Sequence, residues 1–128
     1  LQEAVDRFHR ITADRVVRFE EKSNRDLRAR LHEWGQHLDD FQEHDTVPLA
    51  HYANAVQARA TVSALVQKME QRPFRLAPVV AQKVQDLDHA LRALWKEASF
   101  VWPPEWIPAY PRPEYWWLYG QVRGRSER

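Results

Sequence analysis

The chain has 128 residues, with 19 basic against 18 acidic side chains and a formal charge of +1. That length allows one domain with a modest core, and the charge balance gives no broad electrostatic footprint for nucleic acid or a membrane surface. Cysteine is absent and only three glycines occur, which excludes disulfides, thiolate nucleophiles, cysteine zinc sites, P-loops, dinucleotide-binding turns and nucleophile elbows.

The first predicted element runs from Leu1 to about Glu43. Apolar residues fall at Leu1, Val5, Phe8, Thr12, Val16 and Phe19, then at Leu27, Leu31, Trp34, Leu38 and Phe41, with Ser23 between the two stripes. Steps of three and four define an amphipathic helix. Ser23 could cap a restarted helix. Against a break, acid-to-base pairs at i,i+4 run through the region: Glu3/Arg7, Asp6/Arg10, Asp14/Arg18, Glu21/Arg25 and Asp26/Arg30. One continuous helix is therefore expected, about 65 Å long at a rise of ~1.5 Å per residue.

His44-Asp45-Thr46-Val47-Pro48 ends it, and Asp45 or Thr46 can cap a second helix from Pro48 to about Gln71. Its alanine-rich middle favours helix and close approach of a neighbour. Arg72-Pro73 stops it, and Pro78 opens a third helix to about Ala98. There Val80, Val84, Leu87, Leu91, Leu94 and Ala98 make a 4-3-4-3-4 stripe suited to a bundle or coiled-coil seam. No strand pattern stands out. The fold expected is all-α: a bundle of three helices, or four if the first breaks at Ser23.

Composition changes at Ser99. Eight of the fifteen aromatics fall within residues 100–119, interleaved with Pro103, Pro104, Pro108, Pro111 and Pro113. Prolines at that density forbid a helix, so an extended, polyproline-like strap is expected to Pro113, followed by a short helical turn over Glu114–Val122. Two uses suit it. The strap can fold back on the helices within the same domain, burying Trp102, Trp106, Trp116 and Trp117. Alternatively Trp102, Trp106, Tyr110, Tyr115, Trp116 and Trp117 can form a partner-binding strip, since clustered aromatics mark hot spots. Pro108-Ala109-Tyr110-Pro111 has PxxP spacing without a well-placed basic residue, a weak signal.

Metal and catalytic patterns are incomplete. Asp6/His9 and Asp86/His89 each put a carboxylate and an imidazole on one helical face, but di-iron bundles add unpaired glutamates on the apolar stripes, and none occurs here. Glu33, His37, Asp40 and His44 share a face with 4-3-4 spacing, which reads as surface pairing. Ser23, Ser63 and Ser99 lack activating neighbours. No metal, cofactor or catalytic residue is expected.

The expected function is a non-enzymatic interaction or scaffold subunit with a protein partner, acting through helix packing and the aromatic segment. A homodimer is also expected, since the second and third helices reach only the C-terminal half of the first. That leaves Val5, Phe8, Ile11, Val16 and Phe19 without a cover. An accessory role in a nucleoprotein complex is the second reading, with Arg72, Arg75, Lys83, Arg123 and Arg125 against phosphates. A metal-dependent bundle enzyme is a distant third. Leu1–Arg10 has no signal-peptide pattern and no apolar run approaches the ~20 residues of a membrane span, so a cytoplasmic protein is expected. The chain opens on Leu1, which leaves room for an upstream segment.

Overall fold

A computed structural model describes all residues, 1–128. Helix α1 spans Gln2–Glu43 without interruption. Helices α2 (Leu49–Ala55) and α3 (Gln57–Met69) follow, then α4 (Pro78–Leu94). After α4 the chain forms strand β1 (Trp95–Glu97), 3-10 turns at Pro104–Ala109 and Trp116–Leu118, strand β2 (Gly120–Val122), and a last 3-10 turn at Arg125–Glu127. The fold is an all-α bundle with an aromatic C-terminal segment.

Ser23-Asn24 does not restart the first helix. Ser23 is buried on the stripe, and Asn24 bonds both ways: its amide donates within the helix to the Glu20 carbonyl at 2.9 Å, and its Oδ1 accepts from the Ala77 N–H at 3.2 Å. Asn24 thus ties α1 to the residue that opens α4, filling a donor position that a helix start leaves unpaired. The i,i+4 charge pairs expected to support α1 do not close. None reaches 4 Å, and the only ion pair within the helix body itself is Arg30–Glu33 at 3.2 Å. Exposed long side chains gain little from fixing one geometry in water.

The expected second helix is divided at Val56, which stays in the right-handed helical region. Its i→i−4 ladder continues across the division, from Val56 N–H to Tyr52 O at 2.9 Å and from Ala60 N–H to Val56 O at 3.1 Å. No glycine or proline marks the position. Tyr52, Ala55 and Val56 lie in the same buried cluster as Trp34, Leu38 and Phe41 of α1.

Two further expectations are corrected beyond α4. That helix stops at Leu94, not Ala98, because residues 95–97 pair antiparallel with 120–122, in the register Trp95↔Val122, Lys96↔Gln121, Glu97↔Gly120. Strands of three residues are too short to show a period of two. The aromatic segment is likewise not an extended strap. It folds as successive single turns, closed by Trp106 N–H to Pro103 O (2.9 Å), Tyr110 N–H to Ile107 O (3.0 Å) and Tyr115 N–H to Pro111 O (3.0 Å). The φ that proline imposes suits 3-10 turns as well as polyproline, and turns bring rings together that an extended chain would leave in water.

Trp117, Leu118 and Val122 belong to the main buried cluster with α1, α2 and α4, so the C-terminal segment is part of the core. A smaller cluster of Leu27, Leu31, Val62, Met69 and Val80 lies towards the middle of α1. The N-terminal half of α1 has no such cover.

Candidate interaction surface

In α1, residues from Ser23 onward alternate buried and exposed as expected, whereas residues 1–19 contain no buried position. Val5, Ile11, Val17 and Phe19 are exposed, Phe8 is 68% exposed, and Val16 is half-buried. Phe19 marks where cover begins: its ring lies 4.8 Å from that of Phe74, and the Lys68 ammonium sits 5.2 Å above it. Of the residues expected to pair two chains, Phe19 is therefore already engaged within this one. Val5, Phe8 and Val16 lie on an arm of about 18 residues, ~27 Å long, that extends past the bundle.

The aromatic residues divide differently from either sequence reading. Trp117 is fully buried, with the Arg59 guanidinium 4.9 Å from its ring. Arg59 in turn makes a two-point pair to Asp88 (2.8 and 2.9 Å), joining α3 to α4 beneath the indole. The Tyr52 hydroxyl donates to the Trp117 carbonyl at 2.5 Å. Burial pushes the Tyr52 pKa far above the ordinary phenol value, with Arg59 pulling it down and Asp88 pushing it up as smaller effects. Tyr52 stays a neutral donor at any physiological pH.

Trp102, Tyr110, Tyr115 and Trp116 are half-buried. Trp102 donates its indole N–H to the Ala53 carbonyl at 2.9 Å, and Tyr115 accepts from the Gln67 amide at 2.9 Å. Trp116 lies edge-on to Trp95 and carries the Arg92 guanidinium 3.8 Å above its ring. Trp106 departs from the expected burial: it is 49% exposed. The turn Pro104–Ala109 stands out from the helices, so Trp106 reaches only the edge of Trp102, at 5.8 Å between centroids. Exposed Ile107 sits beside it. Sequence reasoning singled out the aromatics by density, but density does not separate Trp106 from Trp117.

The basic residues proposed for phosphates also separate. Arg123 donates its backbone N–H to Leu94 O (2.7 Å) and its guanidinium to Ala93 O (3.1 Å), which caps the end of α4. Arg125 pairs with Asp45 at 3.0 Å and donates its N–H to His44 O at 2.7 Å. Together with Arg128, which donates to Gln42 O at 2.8 Å, it satisfies carbonyls around the end of α1. Arg72, Arg75 and Lys83 take part in no ion pair. Arg72 precedes Pro73 through a cis peptide bond.

In the two carboxylate–imidazole pairs, Asp6, His9, Asp86 and His89 are all exposed. Asp40 lies 3.1 Å from His51 Nε2 and 3.5 Å from His44 Nδ1, and the same His44 nitrogen donates to the Asp40 carbonyl at 2.7 Å. Glu33 pairs instead with Arg30. No group of three or more acids and histidines converges in a metal-holding arrangement. No helix is long and apolar enough to cross a membrane. Comparison with protein-family models, with curated proteins and with solved structures finds no match.

Proposed function

We propose that this chain is a non-enzymatic helical interaction subunit whose first docking element is the N-terminal half of α1. One observation carries the reading: the same helix is core over its C-terminal half and an exposed amphipathic arm over its N-terminal half. An isolated helix of that length is marginal in water, and burying each large apolar side chain contributes roughly 1.5–3 kcal/mol. The stripe Val5, Phe8 and Val16 therefore gains most from a helix laid along it.

A second copy is the simplest cover. An antiparallel two-fold pair places each arm along the other, uses one self-complementary patch, and keeps the two bundles at opposite ends. Phe8 is the anchor, because Phe19 is shared with Phe74. Sedimentation equilibrium at micromolar concentration tests this. A species of twice 15.3 kDa is expected for the native chain and a monomer for Phe8→Asp. A native chain that stays monomeric rejects the dimer. The exposed Trp106–Ile107 knob supports a further contact for a protein partner, made by the aromatic segment without unpacking its buried members.

A further inference from the structure

With α1 unbroken from Gln2 to Glu43, each side chain along it has a fixed bearing, set by ~100° of rotation per residue. The core residues Leu27, Leu31, Trp34, Leu38 and Phe41 lie on one side, and the uncovered apolar row Val5, Phe8, Val16 and Phe19 lies on the same side of the arm. Beside it runs a second row, stepping by three or four: Arg7, Ile11, Arg15, Arg18, Lys22 and Arg25. These six fall within a sector ~80° wide on one flank of the helix. Ala4 and Ala29 extend the row at its two ends, so from residue 4 to residue 29 it holds five bases and no acid.

All five bases are exposed, and none takes part in an ion pair. Arg18 makes one long bond only, from Nε to the Asp14 carbonyl of its own helix at 3.4 Å. Tertiary packing adds a sixth cation. Lys68, from the end of α3, lies 5.2 Å over the Phe19 ring, and Phe19 adjoins both Arg15 and Lys22 on the helix surface, being four residues from one and three from the other. Acids stand outside the row. Glu3, Asp14 and Glu21 lie on its far side, each four residues before one of its arginines, and Glu21 shares a depression with Arg25. Asp26 lies on the α3 side, with Thr61 and Leu65. None of these acids comes within 4 Å of a base of the row.

We infer that this row is a sequence-independent contact for the phosphate backbone of a nucleic-acid duplex. Four of its five bases are arginine, whose guanidinium fork matches phosphate oxygens two at a time. From Arg7 to Arg25 the row is ~27 Å long at the helical rise, which spans about eight nucleotide steps of a duplex strand at ~3.4 Å each. It carries no aromatic side chain on which an unpaired base could stack, and that favours a duplex over a single strand. An anionic membrane fits less well. A membrane-surface helix lies apolar face down, with its edges against the headgroups, and here the other edge of the apolar row carries Gln2, Asp6, His9 and Glu20. The balanced charge of the whole chain hides the row, because acids concentrate elsewhere: residues 31–67 hold Glu33, Asp39, Asp40, Glu43 and Asp45 against Arg59 alone. The inference goes beyond the protein-binding reading of the arm and does not need the arms to pair, since the basic and apolar rows are centred ~100° apart around the helix.

The test is fluorescence anisotropy of a labelled 20-base-pair DNA duplex titrated with the chain between 50 and 200 mM salt. Contacts to five phosphates give a slope of about −4.5 in log affinity against log salt, a loss of ~500-fold over that range. At 100 mM salt R15E/R18E/K22E should weaken binding about 30-fold or more. R10E/R72E/K83E makes the same change of charge off the row and should weaken it at least about tenfold less. All six positions are exposed and free of ion pairs, and circular dichroism checks that both variants stay helical. Equal losses in the two variants or a slope shallower than about −2 would overturn the inference. So would tighter binding of a single strand of the same length, equal binding of polyglutamate, or tighter binding of phosphatidylserine vesicles. Phe8→Ser removes the anchor of the proposed pair without adding charge, and should still bind with a slope of about −4.5. Sedimentation of the same samples separates the two readings. A monomeric native chain that binds the duplex rejects only the dimer, and a dimer that leaves the duplex free rejects only the basic row.

Discussion

Two of the three glycines sit where a neighbour occupies the place of a side chain. A Cβ on Gly120 would fall within the Trp95 indole, and one on Gly124 would meet the backbone of Asp45 and Thr46. Neither has a positive φ, so space and not conformational freedom demands glycine. Gly120→Ala and Gly124→Ala should each destabilise by about 1–3 kcal/mol in urea unfolding, as overpacking does. Gly35, whose Cβ would make only ordinary contact with Leu87, should accept alanine. The Arg59–Asp88 pair is the other point where one residue matters. Asp88→Ala leaves Arg59, a residue only 8% exposed, without its partner, and a loss of about 3–5 kcal/mol is expected. Tyr52 gives a pH test. Its phenol is held protonated in the fold, so its contribution is intact below the unfolded-chain pKa near 10 and is lost as pH rises beyond it. Of the four tyrosines, one should show no ionisation in the ultraviolet until the protein unfolds in alkali, and Tyr52→Phe should remove that step.

At the level of elements, the C-terminal segment serves the helices as much as the helices support it. It supplies Trp117, Leu118 and Val122 to the main core, caps the α4 end through Arg123, and clasps the α1–α2 connection through Arg125, Ser126 and Arg128. Removing residues 100–128 should therefore lower the melting temperature strongly or abolish cooperative unfolding, since three fully buried side chains alone contribute roughly 1.5–3 kcal/mol each. An unchanged melting temperature in the truncated chain would contradict this. The clasp also has an acid-sensitive member. Glu127 accepts a hydrogen bond from Lys96 at 2.8 Å, which lowers its carboxyl below the ordinary 4.5. Its favourable contribution is present above that value and fades as pH falls. In a carbon-detected titration, Lys96→Ala should return the carboxyl towards 4.5.

For the whole molecule, the proposed pairing of the arm predicts a concentration-dependent behaviour. If it is paired, the bonds after Arg7, Arg10, Arg15 and Arg18 are protected in the dimer and exposed when it dissociates. Trypsin should therefore cut there faster in Phe8→Asp than in the native chain, and faster on dilution of the native chain. Cleavage that ignores both concentration and the substitution would mean that no copy covers the arm.

How much of this was legible in the sequence follows from the range of each interaction. The stripe Leu27, Leu31, Trp34, Leu38 and Phe41 and the proline stops at Pro48, Pro73 and Pro78 are local signals, and they determined the helices, their order and the uncovered N-terminal half of the first. The strand pair needed Trp95 to meet Val122, two positions 27 residues apart, and nothing within three residues announces a partner at that separation. The aromatic residues were conspicuous, yet only packing decided that Trp117 lies over Arg59 while Trp106 stays in solvent. Arg123 and Arg125 read as free charges because their acceptors, the Leu94 and His44 carbonyls and the Asp45 carboxylate, come from distant turns.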